Sequence, residues 1–97
     1  MRRAARADRN QPEIVTALRL AGVRVLPLHQ VGEGCPDLLC GYRGALHLVE
    51  VKDGFKPPSR RVLTPAQTDF HREWADLPVH VVENVAQALK AVGVVVK

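Results

Sequence analysis

Asp37, Glu50 and Lys52 are the residues whose types and spacing could do chemistry. Asp37 opens the apolar run Asp-Leu-Leu-Cys, and Glu50 and Lys52 close the run Ala45–Lys52, with Gly41-Tyr42-Arg43-Gly44 between them. This order reads as a β-hairpin. Charged groups in short apolar strands are costly to bury unless they are paired or bind a metal. A two-residue loop at Tyr42-Arg43 would pair Gly41 with Gly44, Leu39 with Leu46 and Asp37 with Leu48. Opposed residues share a sheet face, and so do residues two apart on a strand. Asp37, Glu50 and Lys52 are therefore expected on one face, at one end of the hairpin. Two carboxylates that close repel unless a proton or a cation lies between them. An all-oxygen environment suits a hard divalent ion such as Mg²⁺, to which the Val51 carbonyl could add a further oxygen. Such an ion stabilises charge on a phosphoryl oxygen and helps turn water into a nucleophile. Lys52, flanked by carboxylates, is expected to stay protonated, orienting the water and neutralising the transition state. The same spacing also suits a surface ion-pair cluster at a frayed strand end.

Elements with clear local signals flank the hairpin. Asn10, Pro12 and Glu13 read as the cap, first turn and capping-box glutamate of a helix with an Ile14, Ala17, Leu18, Ala21 stripe. Gly22 ends it, and Val23–His29 reads as a strand that Pro27 places at an edge or a bulge. After the hairpin, Asp53–Leu63 is a loop with two prolines and three basic residues. Thr64, Pro65 and Gln67 start a second helix running to about Ala75, through a cap, a first-turn proline and a capping-box glutamine. Val79–Val82 is a short strand, and Asn84 caps a last helix through Ala91. The terminal Val-Val-Val-Lys could add one more strand. The order predicted is helix, three strands, helix, strand, helix, an α/β arrangement with a mixed central sheet.

The 97 residues fit one domain with one modest core. Apolar residues make up 46% and aromatics only 4%, so that core must be aliphatic. No apolar run reaches the ~18 residues of a membrane span, and Met1–Asn10 lacks the apolar stretch of a secretory signal. Cys35 and Cys40 have no metal spacing and read as free buried thiols of a reducing compartment. The net charge is +4, but four arginines (Arg2, Arg3, Arg6 and Arg9) fall within residues 1–9, leaving residues 10–97 near neutral. The chain therefore divides into a basic arm, residues 1–9, and a single domain, residues 10–97. The arm suits nucleic-acid phosphates, or simply solvent. Lys56, Arg60 and Arg61 flank Pro57-Pro58 in the loop tethered to Lys52, where they could hold a scissile strand or merely be solvated.

His29, His47, His71 and His80 show no metal-ligand spacing. His29 could face the Asp37 loop, though a partly buried, satisfied histidine is the plainer reading. Phe70 and Trp74, four apart on the second helix, read as a core stripe rather than a base-stacking platform. Neither Ser59 nor Cys35 has a base at motif spacing, so covalent catalysis is not supported.

Pro36-Asp37 followed by Glu50-Val51-Lys52 resembles the PD-(D/E)XK nuclease superfamily. The ordered set Gly-Cys-Pro-Asp-Leu-Leu, Leu-Val-Glu-Val-Lys and Leu-Thr-Pro-Ala-Gln is similar to its VRR-NUC branch, over about Glu13 to Trp74. The resemblance implies a restriction-endonuclease-like core and a DNA phosphodiesterase using Mg²⁺ or Mn²⁺. Asp37 and Glu50 would be metal ligands with the Val51 carbonyl beside them, and Lys52 the catalytic lysine. Glu13 would match an acidic residue that holds metal or its water, and Gln67 a glutamine that supports the site. For both, a plain capping role is the rival. Stand-alone relatives imply a homodimer acting on branched DNA such as four-way junctions, in the cytoplasm of a bacterial or phage-infected cell. The rivals in function are a binding module with weak or lost activity and a subunit active only in a larger assembly.

Overall fold

The computed structural model describes residues 8–95; Arg2, Arg3, Arg6 and the last residues of the expected terminal strand lie outside them. The elements follow the predicted order: α1 (Gln11–Leu20), β1 (Arg24–Pro27), β2 (Leu38–Tyr42), β3 (Ala45–Val51), α2 (Pro65–Glu73), β4 (Val79–Val82) and α3 (Val85–Ala91). A short 3₁₀ turn, Pro58–Arg60, interrupts the loop before α2. The sheet runs β1-β2-β3-β4. The first three strands are antiparallel and β4 lies parallel to β3, so the sheet is mixed. Pro27 sits on an edge strand, where its missing N–H costs no ladder bond.

One sheet face carries Leu38, Cys40, Val49, Val51 and Val82, all buried with Ile14 and Leu18 of α1, Ala88 of α3 and Val92 just after it. This is the aliphatic core the composition requires. Removing a side chain such as Leu38, which has no exposed surface, typically costs ~2–5 kcal/mol. Cys40 is buried within it, its thiol pushed up to about 11 by burial, whereas Cys35 is only half-buried.

The hairpin register differs from the expectation. Tyr42 pairs with Ala45, so the two loop residues are Arg43 and Gly44. Both have positive φ, 49° and 81°, as a type I′ turn demands. Glycine at the second loop position takes that conformation without strain, and this sets the register. The shift is two residues on the partner strand, an even number. It therefore leaves every side chain on its expected face while moving Asp37 from opposite Leu48 to opposite Glu50, one step beyond the last ladder pair, Leu38 with Val49.

Three other expectations are corrected. Asn10 makes no side-chain cap on α1 because its amide is used elsewhere. No strand forms over Val94-Val95. Phe70 and Trp74 are not core, since α2 buries none of its residues.

Candidate active site

The register places Asp37 and Glu50 side by side at the open end of the hairpin, on the face opposite the core. Asp37 is half-buried and Glu50 buried. An Asp37 carboxylate oxygen, Oδ2, accepts the Val51 N–H at 2.7 Å, which locks the side chain across the hairpin. The backbone N–H of Val51 is thus its observed contribution. Burial and then the neighbouring carboxylate push Glu50 up to about 8, and burial raises Asp37 as well. Glu50 uses its oxygens unequally. Oε2 accepts from Gln67 Nε2 at 3.0 Å and lies 3.6 Å from Lys52 Nζ. Oε1 is buried and accepts from no protein donor, and the Asp37 and Glu50 carboxyls lie within hydrogen-bonding reach of each other, so a shared proton can join them. A buried carboxylate oxygen left bare beside a second carboxylate is the environment a hard divalent cation fills.

Lys52 is also buried, and its Nζ donates to Gln67 Oε1 at 2.9 Å. Both readings of Gln67 hold at once. Its Oε1 also accepts the Thr64 N–H while Thr64 Oγ1 accepts the Gln67 N–H, a complete capping box. The box fixes the rotamer with which Gln67 reaches Glu50 and Lys52. Gly34 seats the same turn: it has φ 77°, and a Cβ there would lie 2.2 Å from the Ala66 carbonyl oxygen. The loop before Asp37 can press against α2 only as glycine.

Two residues that the sequence did not mark as part of the site brace it. Asn10 Nδ2 donates to the carbonyls of Lys52 (3.1 Å) and Glu83 (3.0 Å), tying the end of β3 to the end of β4. Asp53, buried, accepts from Phe55 N–H and from Arg9, which hold its carboxyl below the usual range. An asparagine just before a helix gives no signal that separates such a clamp from a cap. Its place directly after Lys52 is the one available hint for Asp53.

Other candidates fall elsewhere. Glu13 is exposed, and the described residues contain no cluster of three or more His, Cys, Asp or Glu able to hold a metal. It is therefore not gathered with Asp37 and Glu50. His29 is exposed rather than partly buried. Three cations expected to meet phosphate are tied to carboxylates: Arg9 to Asp53 at 2.9 Å, Lys56 to Asp8 at 3.6 Å and Arg61 to Glu83 at 2.9 Å. Arg60 makes no ion pair among the described residues.

Two predictions arise here. Thr64→Ala and Gln67→Ala should each cost about 1 kcal/mol of stability through the lost cap. Only Gln67→Ala should also lower activity, by roughly 10–100-fold, as loss of a residue supporting a metal ligand does. Equal activity losses in the two variants would reduce Gln67 to a cap. The second concerns pH. A glutamate raised from 4.5 to about 8 in the fold binds a proton there that the unfolded chain has released. Its contribution to stability is fully present below about 4.5 and is lost as pH rises through about 8. Melting curves of the metal-free protein should therefore decline over this window, and Glu50→Gln should remove that part of the slope. Because Mg²⁺ displaces the proton, it should raise the melting temperature more at pH 8.5 than at pH 6. An equal Mg²⁺ effect at both pH values would contradict the assignment.

The mixed sheet with Asp37, Glu50 and Lys52 at its open end, flanked by helices, is a restriction-endonuclease-like fold. A solved structure described as a VRR_NUC domain matches it with a TM-score of 0.63 and 31% sequence identity, over 84% of this chain and 88% of that one. The chain belongs to the VRR_NUC nuclease-domain family. No family model matches the sequence, and no curated protein does. Among the described residues no helix is long and apolar enough to cross a membrane.

Proposed function

We propose that the protein is a divalent-metal-dependent DNA endonuclease that cuts branched substrates as a homodimer. The observation that carries the metal is the bare, buried Glu50 Oε1 beside Asp37. Mg²⁺ or Mn²⁺ held by these two carboxylates would supply charge stabilisation at the phosphoryl group and a nucleophile at neutral pH. The chain's own residues do the rest. Lys52, aimed by Gln67 and Glu50, presents its ammonium where negative charge develops on the phosphate and where the attacking water must be oriented. Gln67 bridges the Glu50–Lys52 ion pair, donating to Glu50 and accepting from Lys52, and so fixes where the ammonium sits. Arg60 and, outside the described residues, Arg2, Arg3 and Arg6 of the arm are the phosphate contacts this reading favours.

Two symmetric cuts in a junction require two sites, and a two-fold dimer supplies them. β4 supports that arrangement as an edge strand on which Val81 is exposed, because an unpaired edge is a hazard in a monomer. The test is cleavage of linear, flapped and four-way DNA with and without Mg²⁺, alongside sedimentation equilibrium. The expected result is Mg²⁺-dependent paired nicks in the junction by a dimer. Cleavage by a strict monomer with no preference for branches would leave a generic nuclease. Binding without cleavage on every substrate would favour the binding-module reading.

A further inference from the structure

α2 stands off the outer sheet face and leaves a groove of about 750 Å³. Its floor is Leu39, Leu46 and Leu48, and its wall is Phe70, Trp74 and Leu77. Asp37, Glu50 and Lys52 do not line it, yet it adjoins them. Leu39 and Leu48 are two residues from Asp37 and Glu50 on the same strand faces, about 7 Å along the chain. The groove therefore lies one pleat repeat from the active site on the same sheet face.

The chemistry of the lining narrows the occupant. No described lysine or arginine lines it; Glu33 and Glu73 stand at its rim, and His47 is its one imidazole. It therefore repels phosphate and suits an uncharged ring. Phe70 and Trp74 already stack, centroids 4.9 Å apart and planes within 7°. Trp74 remains 37% exposed, so a third flat ring can extend the stack. Carboxylates at the rim accept hydrogen bonds from exocyclic amino groups such as cytosine N4. Apolar floor, aromatic wall, acceptor rim and the absence of lysine and arginine together describe a base, not a backbone.

We propose that this groove receives an unpaired nucleobase of the substrate, adjacent to the scissile phosphate, with Trp74 as its stacking platform. The position relative to the phosphate rests on the nuclease reading; the base site itself does not. It gives the enzyme a reason to prefer flaps and junctions, where bases can leave the stack, over continuous duplex.

Trp74 is the sole tryptophan of the chain, so its emission reports the groove directly. The test titrates the full chain, in EDTA so that nothing is cut, with a 12-nucleotide cytosine-containing single strand. Parallel arms use the same strand with abasic sites and a fully paired duplex. Saturable quenching by the intact single strand is expected, with much weaker quenching by the abasic strand and the duplex. Trp74→Ala should weaken binding of the intact strand, read by anisotropy, roughly 5- to 150-fold, the range for one lost base stack. Leu46→Glu, on an exposed floor position, should do the same without touching α2. Circular dichroism melts confirm that both variants fold. Equal quenching and affinity for abasic and intact strands would overturn the proposal. So would Trp74 emission that shifts on dilution without DNA, because a second copy would then occupy the groove. Quenching without any Mg²⁺-dependent cleavage would keep the groove and remove the nuclease reading. Cleavage without base-dependent quenching would do the reverse.

Discussion

Asp37→Asn is expected to lower cleavage at least about a thousand-fold and to leave the fold as stable as before or slightly more so. The first half follows from metal chemistry. Losing several kcal/mol of charge stabilisation corresponds to that factor. The second half follows from the hairpin. Asparagine keeps an oxygen for the Val51 N–H, now 2.7 Å from Asp37 Oδ2, and removes one of two mutually repelling carboxylates. Glu50→Gln should behave alike, since the amide keeps the side-chain size and sheds the charge that burial opposes. Single-turnover cleavage in Mg²⁺ and thermal melts in EDTA read the two halves. Parental cleavage by either variant would remove the carboxylate pair from the chemistry. A large loss of stability would show that the pair serves the fold instead.

Lys52→Ala should lower turnover about 10²–10³-fold, the range for one lost charge-stabilising donor, while Mn²⁺ binding by calorimetry is largely kept. The ammonium touches the site through Glu50 and Gln67 and is not a ligand. Gln67 is still held by Thr64 when the lysine is gone, so Glu50 keeps its hydrogen bond. Mn²⁺ binding lost as completely as in Asp37→Asn would contradict the role.

The hairpin shows what a sequence can and cannot carry. Period-two alternation puts Asp37, Glu50 and Lys52 on one face whatever the turn, provided any slip is even. The slip itself depends on which two of Gly41-Tyr42-Arg43-Gly44 form the loop, and the backbone needs positive φ at Arg43 and Gly44. The capping box at Thr64 and Gln67 was legible because it is local. That the same glutamine bridges Glu50 and Lys52 is a tertiary fact. Asn10 was misread for the corresponding reason: a local cap and a clamp on β3 and β4, 42 and 73 residues away, use the same side chain. Phe70 and Trp74 have the helical spacing of a core stripe, but spacing cannot say that α2 stands off the sheet. The ion pairs of Arg9, Lys56 and Arg61 were invisible because each joins segments distant in sequence.

The central claim is that Asp37 and Glu50 jointly hold a divalent cation, and anomalous diffraction from crystals soaked in Mn²⁺ tests it most directly. The expected result is a single strong anomalous peak between the two carboxylates, in contact with Glu50 Oε1, the buried oxygen that accepts from no protein donor. Soaked crystals with no anomalous peak between Asp37 and Glu50, at Mn²⁺ concentrations that support cleavage, would contradict it.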